Sequence, residues 1–393
     1  MSSRGTISFV VDKCYPFFNG GYERKIFIFA RSLSETWKVK IFTSMPNEHK
    51  NIGAIEFQKI FGISFQRNAN SRSYLHSFLF ALSLIREPQL LSQSDVVLVE
   101  SIPYVHLLVI SLFWKKYSLP EHKKIIMVDE AWYRYNEGFK FIAKLRNIFI
   151  RKLFRIVDRN VDLYWAMSKV TANSLSENFG INPKKIRMIQ PGHIRMDEVE
   201  RLLRSFGDTS KIYDFSTVAR LVKIKHIEDF ISALSLLKEN YGWKGRAAVV
   251  GSGPMADHLV QLTKELGLQE NIKFFGNVSD ASKFRILGST RVFVLCSERE
   301  GLSHSTLEAL ACGLPAIVAR PANPEVFGVS EIIQDSVNGY YFNLHDVDLM
   351  ARKMNFMLSN PETINKFSQN SLRIAKRYDH EEILKRVMEM LTE

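Results

Sequence analysis

Apolar and polar positions along this chain alternate between two rhythms. Short apolar runs at residues 7–11, 39–43, 96–100 and 124–128 have the length of buried strands, and the stretch 24–34 between the first two repeats its apolar residues at helical spacing. A second series follows, with strand-length runs at 215–218, 247–250, 272–275, 292–295 and 316–319 and helical patterns at 227–240 and 255–266. Apolar strands separated by helices predict an α/β fold of parallel sheets covered by helices. Between the two series, residues 195–211 are charged and lack a strand pattern, so they read as a helix and linker joining a domain of residues 1–205 to one of 206–393. The end of the chain is an amphipathic helix, with Ile383, Leu384, Val387, Met388 and Leu391 on one face.

Length agrees with two domains, since 393 residues exceed what one core usually supports. A net charge of +12 favours anionic partners: nucleic acid, phosphate-bearing substrates or an anionic membrane leaflet. Three cysteines without a CxxC spacing imply neither a disulfide framework nor a zinc site, and a reducing cytoplasm is the expected compartment. The first residues lack a signal-peptide pattern, and apolar stretches such as 107–114 are too short to span a bilayer, so the expectation is a soluble or surface-bound protein.

The segment from Cys296 to Pro315 carries the most chemistry. A buried strand feeds a loop containing Glu300 and Gly301, and a helix then runs to Gly313, which places unpaired backbone N–H groups where a strand ends and suits a diphosphate. Glu300 and Glu308 are separated by about two helical turns, enough to reach two hydroxyl-bearing parts of one ligand. Either glutamate alone is as well explained as a cap or a solvated helix residue. Together they resemble the E-x7-E signature of family-4 glycosyltransferases (glycosyl transferases group 1). That resemblance implies a GT-B fold, two Rossmann-like doubly wound domains facing across a cleft, and transfer of a sugar from a nucleotide-sugar donor with retention of configuration. It implies that Glu300 contacts the transferred sugar and Glu308 the ribose, while Gly301, Leu302 and the amides of Ser303, His304 and Ser305 surround the diphosphate.

Upstream, the segment from Val218 to His226 resembles the family's strand exit, in which Arg220 and Lys225 meet the charge on a departing diphosphate. Phe275 lies in a segment resembling the one that passes the base. Gly251-Ser-Gly253-Pro254 is a weak dinucleotide-type signal without a third glycine, and a tight strand-to-helix turn explains it as well. In the first domain, Gly20 and Gly21 resemble the family's Gly-Gly loop, which faces donor diphosphate and acceptor. Many relatives place His-Asp before an aromatic at a mid-domain strand end. Here the chain reads Val128-Asp129-Glu130-Ala-Trp132, so Asp129 or Glu130 is the residue to accept hydrogen bonds from sugar or acceptor hydroxyls. His193 stands where relatives carry an aliphatic residue, and a structural role is the first reading for a lone histidine.

Asp346-Val-Asp348 has the look of a metal motif but begins a helix, where aspartates cap and complement the dipole. No bound metal and no cofactor are expected, the nucleotide sugar being a substrate. Residues 140–159 form a basic amphipathic stretch, which is either a packed helix with a cationic solvent face or a surface for anionic membrane. With the apolar stretch 74–85 it points to an acceptor glycan or lipid-linked saccharide, peripheral on the inner membrane face, rather than to nucleic acid. Two rival readings remain: an oxidoreductase using Gly251–Pro254, and a non-catalytic basic binding protein.

Overall fold

The computed structural model describes residues 5–17, 21–44, 50–60, 74–85, 93–100, 106, 108–110, 124–129, 152, 154–190, 194–207, 210–298, 300, 302–320 and 328–393. It divides into two compact units, one of residues 1–193 with 384–393, the other of 194–383.

The first unit is built on a sheet of eight strands: β1 (Thr6–Val10), β2 (Lys38–Thr43), β3 (Lys50–Ile52), β4 (Ile55–Lys59), β5 (Val96–Glu100), β6 (Lys124–Asp129), β7 (Leu163–Ala166) and β8 (Ile186–Met188). Their order is β3-β4-β2-β1-β5-β6-β7-β8, and every pairing is parallel except the β3–β4 hairpin at the edge. All five residues of β5 are buried, as continuous apolar strands require when helices cover both faces. Val10, Phe42, Val97 and Val99 pack with Phe80 of helix Tyr74–Leu84 and with Phe154.

The second unit has six parallel strands: β9 (Tyr213–Val218), β10 (Ala247–Val250), β11 (Ile272–Phe274), β12 (Thr290–Leu295), β13 (Ala316–Arg320) and β14 (Gly339–Asn343), in the order β11-β10-β9-β12-β13-β14. Side chains alternate across the sheet. Val292 and Val294 enter the core under helix Ile227–Tyr241 with Phe230 and Leu234, whereas Phe293 and Leu295 join Leu307 and Leu310 of helix His304–Ala311 on the other face. Each such side chain, fully buried, contributes about 1.5–3 kcal/mol.

Helix Met196–Ser205, in the charged stretch read as a linker, lies in the second unit, because Val199 is buried in the same cluster as Leu287 and Tyr378. The chain division therefore falls at residue 193, before that helix, rather than after it. The last helix, His380–Thr392, starts in the second unit and ends in the first, where Arg386 donates to the Met188 carbonyl at 2.8 Å and Arg187 pairs with Glu393.

In each sheet the chain reverses its direction of winding once, between β1 and β5 and between β9 and β12. In open α/β sheets ligands bind beyond the carboxyl ends of the strands at that switch point.

Candidate functional site

The exits of β9 and β12 carry the residues singled out in the sequence. After β9 the chain passes Arg220 and turns through Lys223–Lys225. That loop is braced by the turn after β10: the Leu221 N–H donates to the Ser252 carbonyl at 2.9 Å and the Met255 N–H to the Leu221 carbonyl at 3.0 Å. A Cβ on Gly251 would collide with the Ala219 carbonyl, and one on Gly253 with the Leu221 carbonyl. Both glycines are thus required by the close approach of two backbones, which is the tight-turn reading of Gly251–Pro254.

After β12, the Glu298 N–H donates to the Ile224 carbonyl at 3.0 Å and ties the two exits together. Lys225 Nζ then reaches Glu300 Oε1 at 2.5 Å, both side chains being 14% exposed. Leu302 and Ser303 are buried. Ser303 caps helix His304–Ala311, and its hydroxyl also accepts from Thr306 Oγ1 at 2.9 Å. His304 and Ser305, half-buried, form the first turn, whose amides lack intrahelical partners. Cys296, just before the loop, is fully buried, and burial raises its thiol pKa well above the ordinary value, which leaves it unreactive.

Glu308 lies further along this helix and is paired with Lys283 of helix Asp280–Gly288 at 2.6 Å, the two side chains 15% and 14% exposed. Asp280 adds a second contact to the same ammonium at 3.0 Å. Burial disfavours the charge on Lys283, but the Glu308 and Asp280 carboxylates outweigh it and hold its pKa above the ordinary lysine value. Lys283 escaped the sequence reading, since a lysine on an amphipathic helix looks like any solvated charge.

Arg220 is exposed and makes no ion pair among the described residues. Phe275 follows β11, donating its N–H to the Val249 carbonyl at 2.9 Å, with its ring edge-on to Tyr213 and beneath the Lys273 ammonium at 4.9 Å. Asp346 caps helix Val347–Ser359 by accepting from the Leu349 N–H at 3.0 Å, and Asp348 pairs with Arg352, so the DxD is spent on helix structure.

In the first unit, Gly21 opens helix Gly21–Leu33 and Asp129 ends β6. Gly20, Glu130, His193, Gly301 and most of residues 140–153 lie outside the described residues. Two further carboxylates sit at the switch point of this sheet: Asp12, just past β1, and Glu100, the last residue of β5, each 3% exposed. Ser44 donates its hydroxyl to the Asp12 carbonyl at 2.6 Å, joining the β1 and β2 exits. An acid ending an apolar strand was the available signal for both.

The sequence model of the glycosyl transferases group 1 family matches residues 200–373, and so contains both lysine–glutamate pairs. Over those residues the second unit is similar to the glycosyl transferases group 1 family. Over the whole chain the structure is similar to that of Anabaena HepE in complex with UDP, with a TM-score of 0.72 at 16% identity, covering 98% of this chain and 99% of that one. The fold is that of the GT-B glycosyltransferases. A glycosyltransferase of Methanocaldococcus jannaschii is 27% identical over 65% of this chain and 64% of its own length. The N-acetylgalactosamine-N,N'-diacetylbacillosaminyl-diphospho-undecaprenol 4-alpha-N-acetylgalactosaminyltransferase of Campylobacter jejuni is 24% identical over 61% and 62%. The chain spans between about half and two thirds of the length of the first such curated relatives, 46%, 64% and 49%. Within the matched residues Lys225 pairs with Glu300 and Lys283 with Glu308.

Proposed function

We propose that the protein is a retaining glycosyltransferase that moves a sugar from a nucleoside diphosphate sugar to a hydroxyl of a glycan or lipid-linked saccharide. The observation that carries this reading is the pair of half-buried contacts Lys225–Glu300, between the β9 and β12 exits, and Lys283–Glu308, between two helices, in the region that matches the group 1 model. Arg220 and Lys225 stabilise the negative charge that builds on the leaving diphosphate, and the first-turn amides of helix His304–Ala311 add to that field. Glu300, held by Lys225, orients the donor sugar by accepting from its hydroxyls. Glu308 accepts from the ribose hydroxyls, and Lys283 positions it. Phe275 offers its ring to the base. Asp12, Glu100 and Asp129 line the strand ends of the first unit and accept hydrogen bonds from the acceptor.

Arg220, Lys225 and a helix N-terminus supply the positive potential that a divalent ion provides elsewhere, so the transfer proceeds without a metal. Membrane association follows from the first unit. Phe78 and Leu82, one helical turn apart, are 46% and 39% exposed, Ile156 is 43% exposed, and Lys152 and Arg155 lie on the surface near it in sequence. The lipid-linked acceptor of the Campylobacter relative supports the same direction. An oxidoreductase reading has lost its motif, since Gly251 and Gly253 serve backbone packing.

The test is thermal melting against a panel of UDP-, GDP- and other nucleotide sugars, followed by NMR of the product formed from the best one. A ligand bound to the native state raises the melting temperature, and the product should keep the donor's anomeric configuration in the presence of EDTA. Glu300→Gln should retain nucleotide affinity and lose at least about tenfold in turnover. Stabilisation by NAD alone, an inverted product, or activity abolished by EDTA and restored by a divalent ion would each overturn the reading.

A further inference from the structure

His226 and His345 occupy a backbone conformation that residues with a Cβ avoid. His226 ends the Lys223–Lys225 turn at φ 44° and ψ 46°, and His345, shortly after β14, has φ 68°. Such left-handed geometry costs an ordinary residue about 1–2 kcal/mol, and glycine would adopt it freely. Among the described non-glycine residues Ser336 alone shares it. The two strained histidines meet, with ring centroids 4.6 Å apart and planes at 88°.

Asp229, on the first turn of helix Ile227–Tyr241, completes the group: its Oδ2 lies 3.0 Å from His345 Nδ1. One ring nitrogen of each histidine and one Asp229 oxygen all fall within 4.8 Å of one another. Glu298 Oε2 stands 3.5 Å from His226 Nε2. Two imidazoles with a carboxylate are a borderline donor set that suits zinc, cobalt, nickel or copper, whereas magnesium and calcium take oxygen ligands. Tetrahedral zinc with bonds of about 2.0–2.1 Å holds its ligand atoms about 3.3–3.5 Å apart. The His345 side chain, 58% exposed, has room to rotate inward and close the remaining gap, while the Asp229 side chain, 16% exposed, is fixed.

We propose that His226, Asp229 and His345 form a binding site for a divalent transition-metal ion of the zinc class, with the fourth position taken by Glu298 or water. The strained backbone presents both imidazoles to one point. None of the three ligands belongs to the Lys225–Glu300 or Lys283–Glu308 pairs, so the site stands apart from the assigned chemistry.

The experiment is calorimetric titration of the full chain, free of any histidine tag, with zinc chloride, paralleled by visible absorption of the cobalt complex. One equivalent should bind with micromolar or tighter affinity, give the intense bands of tetrahedral cobalt and raise the melting temperature. His345→Asn and His226→Gly both tolerate left-handed backbone, so each should fold and lose at least tenfold in zinc affinity. His258→Ala, which alters a neighbouring surface histidine, should bind as the unmodified chain does. Absence of saturable zinc binding, unchanged affinity in both site variants, or loss of binding in His258→Ala overturns the proposal.

Discussion

Lys225 contributes through its position more than through its charge alone. In the proposed mechanism its ammonium serves both Glu300, which it contacts, and the departing diphosphate, so truncation removes a counter-charge and releases Glu300 together. Lys225→Ala should lower turnover about 100-fold, and Arg220→Ala, exposed and without an ion pair among described residues, should act on turnover with little change in stability. Steady-state rates for the two variants check this, and near-normal turnover in both would remove them from the mechanism. Lys283 is open to a pH test. Because its pKa is raised in the folded chain above the ordinary 10.5, its pairing with Glu308 stabilises the fold fully at pH values below the ordinary lysine range and is lost only as pH rises through the higher folded value. A double-mutant cycle of Lys283→Met and Glu308→Gln, read by urea unfolding, should give the same coupling from neutral pH to about 10 and a smaller one above. Coupling that fades well below pH 10 contradicts the assignment. Glu300, Glu308, Arg220 and Lys225 were singled out through the resemblance of their segments to the family's, and the structure brings Lys225 and Glu300 into contact. Lys283 was not, since its partner is 25 residues away and only the packing of two helices brings them together.

The turn Gly251–Pro254 shows how an element can be essential to a site without touching a ligand. Its glycines let the β10 exit lie against the β9 exit, and the backbone bonds at Leu221 fix the loop bearing Arg220 and Lys225. Gly253→Ala should therefore destabilise the protein by about 1–3 kcal/mol as the loop is forced outward, and should reduce turnover among the molecules that remain folded. Chemical denaturation and activity on the same preparation separate the two effects; an unperturbed variant would mean that the loop yields freely. Five strands of the second unit were readable from their apolar runs, whereas β14, partly exposed at the sheet edge, was not, and the helix after the loop was expected from its Gly313 stop, which has φ 73°. The β3–β4 hairpin was missed because Lys50–Ile52 and Ile55–Lys59 are short, polar on one side and sit at an edge, where one buried face is too little to imprint a pattern.

At the scale of the whole molecule, the charge of +12 finds its proposed outlet on the first unit. Neutralising Lys152 and Arg155 should weaken sedimentation with anionic vesicles by about 1 kcal/mol per charge near the surface, and Phe78→Ser with Leu82→Ser should weaken it at high salt as well, where screening has already removed the charge contribution. Indifference of the unmodified protein to such vesicles at moderate salt would dismiss the membrane reading. The two-unit organisation was legible as two series of strands, but the return of residues 384–393 to the first unit was not, because an amphipathic helix does not declare its partner. That return has a consequence for biosynthesis. Ribosomes deliver chains from the N-terminus, so the second unit, continuous from 194 to 383, emerges whole, whereas the first unit waits for residues 384–393 although most of it was made earliest. Until residues 384–393 arrive, the older half of the nascent chain lacks one of its parts, and its protection rests on chaperones or on the speed of translation.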